Sequence, residues 1–506
     1  MKLLENYILK LGMAGLIIFM MSDILPGSVQ QASIRSYELD IEVYPEARID
    51  YAGFIEIMEG QRPHWNKADS LANYPYMKGR ATMEIALENQ GRDGLDFFIH
   101  GELRAHKMRM NGRDIPFTQR RVHYHYSYSL NATMVSVKLE GQTGIQRFEM
   151  DYAGVFNPSY AGAPSNYMRI DSTGAYLRAY GYSLWFPILQ KSGDDSQLVD
   201  FNRVEIKTAL KYSAVFTGHR ISEKPIAGEQ MRVSHWQAKA VDLFDAGLTI
   251  RPFVLNRDKG VFLFHLNHPE SVRASRDIRI FVDRLLNFYR DHYKPIQNTA
   301  QVHIAELPNF ASGVSHGNMI GITSGQWRRF DLNSQDMKMA LLVSHELVHA
   351  FVHPKIGLKR PLAALFIEGF PSYFHLNALA TLSGESWYQS FMQSVEKQYL
   401  RRKQTGIDGR GSLLPKEKPI LEITFDEIGR YKDRFILNDR ALLFLHFLRK
   451  AMGKRTFKQY TRALCRSRDL DIESFMSLTT SFLPGSKGDL NRWLESNEYP
   501  KRYHLN

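Results

Sequence analysis

Apolar and polar positions alternate through the first half of this chain and take up a helical period in the second. Between residues 33 and 255, short runs such as "YELDIEVYP", "GRATMEIALEN", "DFFIHGEL", "TMVSVKLEG", "RFEMDYAGV" and "VEIKTALKY" carry apolar side chains at alternate places. A period of two puts one set of side chains on one face of a strand. Gly, Asn and Pro between the runs supply the turns. Such a series of short strands predicts an antiparallel β-sandwich or saddle. "EGQRPHWNKADSLANYP", 59–75, breaks the pattern and reads as a long loop or an insertion.

The texture changes near residue 256. "GVFLFHLN" and "AQVHIAEL" read as strands, and "SVRASRDIRIFVDRLLNFYRDHY" between them reads as a long helix. From 335 onward the pattern is mostly helical, through "DMKMALLVSHELVHAFV", "LAALFIEGFPSYFHLNALATL", "SWYQSFMQSVEKQYLRRK", "RALLFLHFLRKAM" and "KRTFKQYTRALC". The expected class is α+β and multidomain. A β domain spans 33–255, a mixed sheet-and-helix domain spans 256–480, and 481–506 is a tail.

The first 32 residues differ from both. Two lysines in "MKLLENYILK" precede an apolar run from Leu11 to Met21, which Asp23 and Pro26 end. That run is short for a membrane span and matches the core of a signal peptide. Residues 1–32 are expected to be a signal peptide, or an N-terminal anchor tying the chain to a membrane. The protein is accordingly expected to be exported, whether periplasmic, extracellular or membrane-anchored. The formal charge is +12. The Lys and Arg residues are scattered and no recognition motif accompanies them, so nucleic acid is not an expected partner. A single cysteine, Cys465, excludes an internal disulfide and a cysteine-based zinc site. No feature of the chain sets an oligomeric state.

The chemistry concentrates in "SHELVHAF", 344–351. On a helix, residues four apart share a face, so His345 and His349 can put both imidazoles on one ion. Glu346 projects from the same end of that face, within reach of a water on the metal. The alternative is a helix whose two histidines are hydrogen-bonded core residues. A catalytic zinc takes three protein ligands and keeps a place for water. Eighteen residues separate His349 from Glu368 in "LFIEGFPSYF". Pro354, Gly357 and Pro361 lie between and let the chain double back. A Glu in an apolar helix is costly unless it is paired or metal-bound. Glu368 therefore completes a candidate set of one Zn2+, His345, His349 and Glu368, with Glu346 as general base.

His-Glu-x-x-His, eighteen residues, then Glu-Gly-Phe resembles the signature of the gluzincin metallopeptidases. More narrowly it is similar to the membrane alanyl aminopeptidase family, which includes the leukotriene-hydrolase-like aminopeptidases. "IEGFPSY" at 367–373 looks like that family's segment around its third ligand, and "SYELDIEVYP" at 36–45 looks like its first strand. "LWFPIL" at 184–189 and "AELPNF" at 305–310 are weaker matches. The resemblance implies a thermolysin-like α/β zinc domain with a helical C-terminal part behind the β domain. It also implies zinc-dependent hydrolysis of peptide substrates, aminopeptidase-like in kind. It suggests Tyr431, sixty-three residues beyond Glu368, as the tyrosine that stabilises the oxyanion, although the local pattern differs. It places Gly313, His316 and Asn318 of "GVSHGN" where the family binds substrate through Gly-x-Met-Glu-Asn. The family's acidic anchor for a free amine is missing, for no Asp or Glu occurs from Leu307 to Phe330. That departure opens two further readings: the same scaffold with other specificity, or a zinc-binding protein of little activity. His375 stands where the family often carries a glutamate behind its ligands.

Overall fold

The structure, a computed structural model, describes residues 32–46, 75–87, 94–125, 129–139, 141–155, 168–178, 183–189, 198–243, 246–293, 301–308, 313–334, 337–351, 362, 365–406, 418–422, 439–467, 470–497 and 499. The apolar run at 11–21, the predicted loop at 59–75 apart from Pro75, and Tyr431 lie outside these residues. Among the described residues no helix is long and apolar enough to cross a membrane.

The first half is β structure, as its alternation requires. Its largest sheet has eight strands and is built around Ala32–Tyr44 and Tyr76–Leu87. In Ala32–Tyr44 the apolar Leu39, Ile41 and Val43 are buried. The intervening Glu38, Asp40 and Glu42 face outward, where Arg203, Lys78 and Lys207 meet them. Two four-stranded sheets complete this half among the described residues. One pairing departs from the expected antiparallel scheme. Ala32–Tyr44 runs parallel to Leu198–Ala209, with Ile41 opposite Ile206. Hairpin logic cannot reach this pair, because the partner strand comes more than 150 residues later.

The second half begins at the five-stranded sheet, in the order Phe253–Asp258, Val261–Leu266, Val302–Leu307, Met319–Thr323, Gly313–His316. Gly313–His316 is an edge, antiparallel to Met319–Thr323. Strands buried on both faces read as continuous apolar runs, and "VFLFHL" fits. Val261 and Leu263 pack into the helical core, while Phe262 and Phe264 pack into the core of the β half.

Eight α-helices surround this sheet among the described residues: α1 Pro269–Tyr293, α2 Ser324–Arg329, α3 Lys338–Phe351, α4 Phe370–Ser383, α5 Glu385–Thr405, α6 Ala441–Leu464, α7 Ile472–Phe482 and α8 Lys487–Glu495. Within α6, Gly453 takes φ 75°, so the stretch is two helices meeting at a kink. Of the stretch 481–506, expected as a tail, helix α8 packs into the core. Leu490, Trp493 and Leu494 of α8 are buried, and Arg440 donates to the carbonyl of Trp493. Its few apolar residues all fall on one helical face, a pattern too brief to read in isolation.

Candidate active site

Helix α3 brings the predicted pair together. The Nε2 atoms of His345 and His349 are 3.1 Å apart, and the two rings meet edge to face. One imidazole donating to the other would give such an approach. So would a shared ion: two nitrogens at roughly 2.0–2.1 Å from a tetrahedral zinc lie about 3.3 Å apart. The donor set therefore fits zinc without rearrangement of α3. Glu346 is 7% exposed, buried one residue away on the same helix.

The edge strand lies directly over this helix. A β-carbon on Gly313 would sit 2.7 Å from Leu342 Cδ1 and 3.1 Å from Glu346 Oε1. Only a residue without a side chain lets the strand come this close. Gly313 thus places a strand edge that is unpaired among the described residues beside the candidate base.

His375, on α4, backs the pair. Its Nδ1 shares a hydrogen bond of 3.1 Å with Ser344 Oγ, and its ring stands perpendicular to His345 at 5.3 Å. Burial, and then the neighbouring His345 and His349, push its pKa well below the usual histidine value. His375 thus stands edge-on against the ring of His345.

The segment leading into α4 is a π-helical turn, Leu365–Gly369. Such wide turns recur at functional sites. The backbone of Glu368 lies in this turn, while its side chain is outside the described residues. Among the described residues, no three His, Cys, Asp or Glu side chains gather at one point. Gly369 matters for a different reason. A β-carbon there would fall 2.4 Å from Ala441 Cβ, so the glycine lets α6 press against the turn.

His316 and Asn318, expected to contact substrate, are turned away from α3 and into the β half. His316 Nε2 is 3.2 Å from the Tyr176 hydroxyl, and its ring fills the space above Gly247. Burial, with Arg178 nearby, holds its pKa well below the usual value. Asn318 Nδ2 donates to the carbonyls of Gly218 and Gln301, and its Oδ1 accepts from the Gly218 amide. The physical reason is alternation. Gly313 faces α3, so His316, an odd number of positions on, faces the opposite side of the sheet. These two residues bolt the five-stranded sheet to the β half. Sequence reasoning gave no role to Ser344, which precedes the His-Glu-x-x-His motif, or to Tyr176, which lies far from it.

Glu306, the last acid before the edge strand, is also committed. It accepts from the Leu266 amide and from Ser271 Oγ.

The architecture matches solved structures. A Deinococcus radiodurans M1 zinc metallopeptidase variant bound to a Tyr-Ser-Ala substrate superposes with a TM-score of 0.63 at 16% identity, covering 93% of this chain and 96% of that one. Another structure of that M1 zinc metallopeptidase gives 0.62 at 16% identity, over 94% and 97%. Native yeast LTA4 hydrolase gives 0.63 at 12% identity, over 94% of this chain and 71% of the hydrolase. No family model and no curated protein matches by sequence. The chain shares the multidomain fold of these M1 zinc metallopeptidase and LTA4 hydrolase structures.

Proposed function

We propose that this protein is a zinc-dependent peptidase, with His345, His349 and Glu368 as the residues that hold the metal. The observation that carries the reading is the convergence of two Nε2 atoms 3.1 Å apart, with Glu346 beside them and against an open strand edge. When bound, zinc supplies Lewis acidity, lowering the pKa of a coordinated water to about 7 and polarising a carbonyl. The rest falls to the chain. An extended peptide pairs its backbone with the edge strand Gly313–His316. Glu346 takes a proton at its carboxylate and delivers it to the departing amine. His375 holds the ring of His345 in place. Tyr431 is our candidate for the group that steadies the developing oxyanion.

A second reading concerns specificity, and the side chains at the edge strand favour it. An ammonium group is best held by carboxylates. The strand carries none, Glu306 is engaged elsewhere, and His316 and Asn318 are occupied by the β half. Selection of a free N-terminus is accordingly weak or absent. The apolar run at 11–21 supports export, with the peptidase acting outside the cytoplasm.

The test pairs one peptide with its N-acetylated form, with and without a chelator. Chelator-sensitive loss of both supports the proposed specificity. Loss of the free peptide alone restores an aminopeptidase. Cleavage that ignores the chelator, or none at all, overturns the peptidase reading.

A further inference from the structure

The helical half holds a second cleft, of about 590 Å³, between α1, α4, the start of α5 and α6. Sites for small molecules run roughly 300–1,000 Å³. The charge of its lining is one-sided. Arg449, Lys454, Arg455 and Lys458 face Glu385 as the one acid among the described lining residues. Glu385 Oε2 is 3.2 Å from Arg449 Nη2 and 2.9 Å from Lys454 Nζ. One carboxylate thus serves two cations, and Arg455 and Lys458 add two more. Arg449 is buried, its guanidinium resting on the Tyr388 ring at 4.4 Å and shared between that tyrosine and Glu385. A surplus of like charge is costly. The N-terminus of α5 opens at Glu385 and adds partial positive charge there. One wall is aromatic, where Phe288 and His292 stack at 3.9 Å.

We propose that this cleft binds a phosphate group, free or as a monoester. A carboxylate would offset one of the excess positive charges. A phosphate offers close to two negative charges and several acceptor oxygens. Lys and Arg at the rim would hold it, with Glu385 acting as a built-in competitor. The cleft borders the face of α4 that carries Asn377, not the His375 face toward the paired histidines. The proposal stands apart from the peptidase reading.

The experiment is calorimetric titration of the purified full chain with inorganic phosphate and with phenyl phosphate, at constant ionic strength against sodium chloride. Saturable one-site binding of either probe is expected, and tighter binding of phenyl phosphate identifies a monoester ligand. Arg455→Ala and Lys458→Ala alter an exposed and a half-buried rim residue outside the buried core; each should weaken binding at least tenfold. Glu385→Gln should strengthen it severalfold. Heat no greater than that of chloride would overturn the proposal. So would binding that Arg455→Ala and Lys458→Ala leave unchanged, which would place the anion elsewhere, such as beside the paired histidines.

Discussion

Gly313 lies against Glu346, close enough that a β-carbon on the glycine would come within 3.1 Å of the carboxylate oxygen. This contact joins the strand that would seat a peptide to the group that would take its proton. Gly313→Ala should push the strand and Leu342 apart and misplace the substrate. Misplacement of about 1 Å can cost on the order of a hundredfold in rate. We expect kcat/KM to fall by about tenfold or more while zinc content stays at the wild-type level, measured by peptide cleavage and metal analysis on the same sample.

Glu346→Gln keeps the shape of the side chain and removes its basicity. Proton transfer by a positioned group is worth about 10²–10⁴-fold in rate. The variant should bind zinc as the wild type does and lose turnover by that order. A variant that cleaves at the wild-type rate would refute Glu346 as the base.

His375 should reveal itself through the metal. Residues that brace a metal-binding histidine are worth about 10–100-fold in affinity or activity. His375→Ala removes the contact to Ser344 and the perpendicular ring beside His345. Zinc affinity, read by competition with a chromogenic chelator, should drop within that range. An unchanged affinity would make His375 mere packing.

Asn318→Ala tests the joint between the two halves. The substitution strands the Gly218 amide and the Gln301 carbonyl and removes one of the two partners of the Gly218 carbonyl, which His303 Nε2 still reaches. Each buried group left unsatisfied costs about 1–3 kcal/mol. A loss of about 3 kcal/mol in unfolding free energy is expected, with KM for peptides changed little. A large rise in KM with stability intact would return Asn318 to the substrate.

Stability should fall in mild acid. Burial lowers the pKa of His100 to about 4, of His303 to about 3 and of His446 to about 4. The unfolded chain protonates these histidines near pH 6.5. The folded state resists protonation, so their contribution is present above pH 6.5 and is lost as pH falls toward 4. Each can cost about 1.4 kcal/mol per pH unit in that window. Thermal melts between pH 8 and 5 should show the decline, and His303→Gln should flatten it. A profile that His303→Gln leaves unaltered would rule out this origin.

What the chain determines by itself is local. Period two in "YELDIEVYP" places Leu39, Ile41 and Val43 on one face whatever surrounds them, and the structure buries all three. The four-residue spacing of His345 and His349 likewise puts their rings together through helix geometry alone. Tertiary structure decided what depends on residues far away in sequence. The parallel match of Ile41 with Ile206 joins two strands more than 150 residues apart, which no local pattern can pair. The orientation of His316 and Asn318 was set by which face of the edge strand meets α3 and which meets Tyr176 and Gly218. Trp493 found a core because Arg440 and Phe447 of another helix supplied it. Periodicity specifies a face. Only packing specifies what that face will touch, because the partner's energy enters only once both surfaces exist.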